Sequence, residues 1–150
     1  MSIVEQWCKT DGVRSKIVQM DLELLIGAAR DVRNNAHAPY SKFRVGAAVL
    51  GASGRVYGGC NVENATYGAT ICAERAAICA MVAAGETHAA AVAVYTDSNP
   101  AASPCGICRQ VLAEFADDMP VVLAGPDGHS VLSLAELLPN RFVFNPKDAG

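Results

Sequence analysis

The sequence predicts an α/β protein of three layers, α/β/α, in which helices cover both faces of one mixed sheet of about five strands. Three observations predict it. A chain of 150 residues suffices for one domain that buries its own core. Its 51% hydrophobic content against 18% charged residues excludes a disordered chain. The apolar period changes along the chain, from helical spacing to a strand hairpin and then to short apolar runs alternating with helical stretches.

Taken in order, Leu22, Leu25, Ile26, Ala29 and Val32 recur at helical spacing. Asp21 is the expected N-cap, and Asn34, Asn35 and Pro39 end the pattern. Residues 43–50 read as a strand, Gly51-Ala52-Ser53-Gly54 as a turn and Arg55 to Asn61 as a second strand, together a hairpin. Residues 62–71 are a polar loop. A helix is expected from Cys72 to about Ala84, stopped by Gly85, then a buried strand over Ala89 to Tyr95. After a loop over residues 96–103, Pro104 precedes a second helix that starts on a cysteine, Cys105 to about Phe115. Pro120 to Ala124 is another short strand, Gly125-Pro126-Asp127-Gly128 a turn, and Ser133 caps a last helix that Pro139 ends. Residues 1–20 read as an N-terminal extension and residues 21–150 as a single domain.

The net charge is −3, with no cluster of Lys and Arg. Binding to DNA or RNA draws most of its affinity from neutralised phosphates, so a small substrate is expected and no nucleic-acid partner. The apolar runs are too short for a membrane span. Glu5, Lys9, Asp11 and Arg14 interrupt any apolar signal core, so no secretion signal is expected and the expected location is cytoplasmic. The six cysteines, Cys8, Cys60, Cys72, Cys79, Cys105 and Cys108, are therefore read as reduced thiols: three as metal ligands and three as small apolar fillers.

The chemistry concentrates in Cys72-Ala73-Glu74 and Pro104-Cys105-Gly106-Ile107-Cys108. Three thiolates can hold a zinc ion and leave its fourth position to water, whose pKa then falls towards neutrality. A carboxylate two residues from a ligand, Glu74, is placed to carry that water's proton. Both stretches fall at predicted helix starts, where first-turn N–H groups and the helix dipole offset thiolate charge, and Arg75 can reach a ligand sulfur. The combination points to a hydrolytic zinc enzyme. Other readings of these residues exist. A lone Cys-x-x-Cys also suits a redox pair, which leaves Cys72 and Glu74 unexplained. A structural zinc site needs a fourth ligand. Cys79 lies two helical turns from Cys72, about 10 Å along the axis, and Cys60 would have to approach from the end of the hairpin. His37, His88 and His129 have no partner at ligand spacing and receive no role.

These two stretches resemble the zinc nucleoside and nucleobase deaminases in their three-cysteine variant. Further motifs narrow the resemblance to the small, homotetrameric cytidine deaminases: Ala38-Pro39-Tyr40-Ser41-Lys42-Phe43-Arg44-Val45-Gly46, Gly59-Cys60-Asn61-Val62-Glu63-Asn64-Ala65 with Tyr67, Cys105-Gly106-Ile107-Cys108-Arg109-Gln110, and Leu137-Leu138-Pro139. The similarity runs from about residue 22 to 142. It implies a cytidine deaminase-like fold, one zinc per subunit on Cys72, Cys105 and Cys108, proton transfer by Glu74, and tuning of the sulfurs by Arg75. It also implies ribose binding by Asn61 and Glu63, packing of Phe43 on the pyrimidine, a backbone contact from Ala73, and a contribution from Tyr67 across a subunit boundary. The implied activity is hydrolytic deamination of cytidine or deoxycytidine to uridine or deoxyuridine plus ammonia, in pyrimidine salvage.

The residues agree with the ribose assignment: a carboxylate accepts two hydrogen bonds from a vicinal diol, an amide both donates and accepts, and Asn61 and Glu63 alternate at a strand end. The family places a Phe shortly after Leu-Leu-Pro that closes a neighbouring active site. Phe142 has that spacing, while Phe144-Asn145-Pro146 matches a Phe-x-Pro pattern, so two rings compete for the role. The run Arg141 to Phe144 is also similar to the tail of blasticidin-S deaminase, which keeps another cytosine nucleoside open as substrate. A structural-zinc interaction module is the alternative outside enzymes.

Overall fold

In a computed structural model of the chain, residues 22–145 are described; the expected extension over residues 1–20 and the expected cap Asp21 lie outside them. Helix α1 (Leu22–Arg33) buries Leu25, Ile26 and Ala29, the stripe its spacing predicts. Strands β1 (Val45–Gly51) and β2 (Val56–Cys60) form the hairpin, turned at Gly54 with φ 87°. Helix α2 (Ala73–Ala83), strand β3 (Ala89–Thr96), helix α3 (Gly106–Glu114) and strand β4 (Pro120–Gly125) follow. Strand β5 (Gly128–Ser133) and the short helix α4 (Leu134–Leu137) come last among the described residues. Ser133 caps α4 in a capping box with Glu136.

The five strands lie in the order β2-β1-β3-β4-β5, with β3 and β4 parallel and every other neighbouring pair antiparallel. The sheet is mixed and five-stranded, as expected. The fifth strand lies where the sequence suggests only a turn and a helix cap: β5 pairs back on β4 from Gly128 opposite Gly125. It is an edge strand with two apolar residues, Val131 packing on the α1 side of the sheet and Leu132 on the other.

Helices cover both faces. Alternate residues of the central strands, Ala48, Leu50, Ala91, Ala93, Val122 and Ala124, pack against α1. The intervening residues, Ala47, Val49, Val92, Val94, Val121 and Leu123, pack against α2, α3 and α4 through Ala77, Ile78, Met81, Leu112 and Leu134. Burial on both faces is why these strands read as continuous apolar runs rather than as alternating ones. Two glycines let helices approach the sheet. A Cβ at Gly46 would collide with the Ala29 carbonyl and come 2.8 Å from the Arg33 backbone in α1, and one at Gly59 would collide with backbone atoms of Ala73, Ala76 and Ala77 in α2.

The topology fixes where the two cysteine-led helices start. Strands β2 and β3 are both antiparallel to β1, hence parallel to each other and to β4. Their carboxyl ends share one edge of the sheet. Helix α2 follows β2 and α3 follows β3, both on the same face, so both N-termini meet at that edge, the usual location of ligand sites in open α/β sheets. None of the described helices is long and apolar enough to cross a membrane.

Candidate metal centre and substrate site

Cys72 is the N-cap of α2 and Cys105 the N-cap of α3, both extended (ψ 155° and 168°), and neither side chain caps its own helix. The sulfurs are thereby free to turn to one another. Cys108, one turn into α3 and fully buried, completes the group: the Sγ atoms of Cys72, Cys105 and Cys108 all lie within 4.8 Å of one another, and those of Cys72 and Cys105 are 4.0 Å apart. A zinc ion about 2.3 Å from each thiolate in tetrahedral geometry sets sulfurs about 3.8 Å apart. The three residues therefore fit zinc with small movements. Neither Cys60, Cys79 nor any described histidine joins the group, so the fourth protein ligand that a structural site needs is not found among the described residues. The five described cysteines form no disulfide.

The electrostatics suit an anionic cluster. The Cys108 thiol donating to Cys72, with the Arg75 guanidinium beside it, holds Cys72 down at about 5, whereas Cys108 is pushed up by that same hydrogen bond, by burial and by the charge of Glu74. Arg75 donates to the Thr70 carbonyl at 2.9 Å and approaches the Cys72 sulfur at 3.7 Å. Its Nε is buried with no partner. Glu74 is 4% exposed. Burial, reinforced by the charge of Cys72, pushes its carboxyl above the usual carboxylate range. Ala73, between them, is fully buried.

A second cluster is stapled to the first by backbone. Val62 and Ile71 exchange both N–H···O bonds at 2.9 Å, which sets Asn61 to Glu63 alongside the residue before Cys72. His37 joins from the other side, accepting from the Glu63 N–H at 2.8 Å and donating to the Asn61 carbonyl at 3.0 Å. Both expected ribose residues grip the segment 40–45. Buried Asn61 accepts from the Val45 N–H at 2.9 Å and donates to the Phe43 carbonyl at 2.8 Å, leaving one amide hydrogen. Glu63 accepts from the Tyr40 and Ser41 N–H groups at 2.9 and 3.2 Å and from the Ser41 hydroxyl. These bonds, Ser41's hydroxyl first, hold its carboxyl below the usual range.

Phe43, Tyr67 and Phe142 are exposed in the single chain, and Tyr67 meets Tyr40 edge-on at 6.1 Å. Several residues carry structural work that the sequence does not announce. Ser41 bridges Glu63 and the Phe43 N–H. Arg109 ties Pro104 and Ser103 to the end of α4 through the Leu137 carbonyl. The motif Cys105 to Gln110 contains Arg109, but its partners lie up to 28 residues away, beyond any local pattern.

Residues 20–124 match the family model described as the cytidine and deoxycytidylate deaminase zinc-binding region, a span that contains all three cysteines and Glu74. A cytidine deaminase of Sporosarcina psychrophila is 46% identical over 82% of this chain and 92% of its own length. One from Mycobacterium tuberculosis is 41% identical over 82% of this chain and 90% of its own. Among solved structures, the cytidine deaminase of Burkholderia pseudomallei superposes with a TM-score of 0.79 at 44% identity, covering 82% of this chain and all of that one.

Proposed function

Since this chain belongs to the cytidine and deoxycytidylate deaminase family, we propose that it hydrolyses cytidine or deoxycytidine at C4, giving uridine or deoxyuridine and ammonia. The observation that carries this reading is the meeting of three thiol sulfurs from two helix starts with the buried carboxyl group of Glu74 beside them. Cys72, Cys105 and Cys108 hold zinc, one ion per subunit. When bound, zinc supplies Lewis acidity and brings the pKa of a water molecule towards neutrality.

The remaining work belongs to side chains. Glu74 takes a proton from the attacking water and gives it to ring N3, which makes C4 electrophilic. It then delivers a proton to the departing amine, serving as base and afterwards as acid. Arg75 neutralises thiolate charge. The backbone of Ala73 contacts the base, and Phe43 packs on the pyrimidine. The free amide hydrogen of Asn61 and the carboxylate of Glu63 hold the ribose hydroxyls, while their other bonds fix the segment before β1 that carries Phe43.

Exposed Ile107, Tyr67, Phe142 and Phe144 support an assembly that covers them. We take it to be a homotetramer in which Tyr67 and Phe142 contribute across subunit boundaries. A cytoplasmic role in pyrimidine salvage is the matching context.

The test is the ultraviolet absorbance change on conversion of cytidine and deoxycytidine, run with and without a chelator. Turnover that stops on chelation and returns with zinc is expected. One zinc per chain with no turnover of either nucleoside would sink the reading and favour a structural-zinc module. A higher kcat/KM for blasticidin S than for cytidine would replace the substrate.

A further inference from the structure

We propose that Arg141 is a positioning residue which, together with Gln110, fixes Phe142 rather than Phe144 as the ring offered to the nucleoside site. The proposal rests on the reading above that a C-terminal phenylalanine closes that site. Helix α3 ends at Glu114, and the last carbonyls of a helix lack partners within it. Arg141 supplies one for the helix and others for the turn that follows it: its Nη1 donates to the carbonyl of Ala113 within α3 at 3.2 Å and to those of Ala116 and Asp117 just past its end at 2.9 and 3.1 Å, and its Nη2 pairs with the Asp117 carboxylate at 2.6 Å. A cation there also meets the negative end of the helix dipole. The guanidinium is 27% exposed, whereas its carboxylate partner is fully exposed, so the set of carbonyls rather than the ion pair anchors it.

One residue further on, the Phe142 carbonyl accepts from Gln110 Nε2 at 3.0 Å. Residues 141 and 142 are thus fastened to the middle and the end of one helix, and that helix carries Cys105 and Cys108 at its start. The backbone of Phe142 is held at its carbonyl while the residue remains 71% exposed. A largely exposed aromatic residue on a held backbone is arranged for presentation to another surface. The aim of the ring is therefore set by the same helix that sets two of the metal sulfurs.

A double-mutant cycle tests this on the full-length zinc enzyme. Arg141→Ala is expected to raise KM for cytidine about tenfold with kcat within about twofold, the size of a lost aromatic contact. Arg141→Lys should recover part of it, since one ammonium cannot reproduce the planar fork, and Gln110→Ala should shift KM in the same direction. Phe142→Ala should raise KM by itself, and adding Arg141→Ala to it should produce no further rise. Additive effects, or an unchanged KM in Arg141→Lys and Gln110→Ala alike, overturn the proposal. So does a KM that responds to Phe144→Ala and not to Phe142→Ala. If neither phenylalanine variant changes KM, it is the reading of a closing ring that fails.

Discussion

Two adjacent glycines in β2 separate the packing that builds the metal centre from packing that only completes the sheet. A methyl at Gly59 would strike the backbone of α2 at Ala73, Ala76 and Ala77, with the Ala76 carbonyl carbon at 2.8 Å. None of these is the tip of a flexible side chain. Ordinary carbon contacts lie near 3.5–4.0 Å, so the first turn of α2 has to withdraw by about an ångström. Overpacking of this kind costs about 3 kcal/mol at the upper end of its range, which at about 3–4 °C per kcal/mol for a domain of this size lowers Tm by about 10 °C. The displaced turn carries Cys72 and Glu74, while metal–ligand distances tolerate only about 0.2 Å. Gly59→Ala should therefore also lose most of its zinc. Gly58→Ala is the control: its methyl meets Val32 at 3.4 Å, close but against a side chain rather than helix backbone, and Tm and zinc content should stay near the parent values. The assay is scanning calorimetry together with zinc stoichiometry on both variants. A Gly59→Ala protein with parental Tm and one zinc per chain would show that α2 is not held against the strand as described.

Glu74→Gln should keep zinc and lose about 10²–10⁴ in kcat, the contribution of positioned proton transfer; parental turnover would remove Glu74 from the chemistry. Cys105→Ala should lose both zinc and activity, measured on the same sample, and retained zinc would mean that the sulfur triad is not the ligand set. Glu86 gives a pH prediction remote from the metal. The Ser53 N–H at 2.6 Å, the Ser53 hydroxyl and the Tyr57 hydroxyl hold its carboxyl below the ordinary value of 4.5. Its stabilisation is therefore complete above that value and lost as pH falls through the lower folded value. Denaturant titrations of the parent and Glu86→Gln should converge as pH drops below about 4.5; a gap that widens towards acid would contradict the sign.

The fold and the three cysteines that meet at one point are legible because they depend on short-range signals. Continuous apolar runs marked β1, β3 and β4, and Cys72 and Cys105 announced helix starts whose caps they prove to be. Strand β5 escaped because Gly128, His129 and Ser130 are exposed at the sheet edge and only Val131 and Leu132 carry an apolar signal. The clasps escaped for a different reason. Asn61 holds Val45 and Phe43, and Arg141 holds residues 24 to 28 positions away; no local period encodes such partners. Gly59 could be quoted within a motif, but its reason, a helix lying on the strand, exists only in three dimensions.

The sulfurs of the metal group come from two separate crossovers, 33 residues apart in sequence for Cys72 and Cys105. An ion can be gripped only after β1 has paired with both of its neighbours and β4 has joined β3, because until then the two helices share no edge. Metal capture is therefore a late event in folding. Zinc should act as a latch that slows unfolding in proportion to its occupancy while leaving the folding rate nearly unchanged. Stripping the ion from a sample would then shorten its lifetime without hindering its renewal.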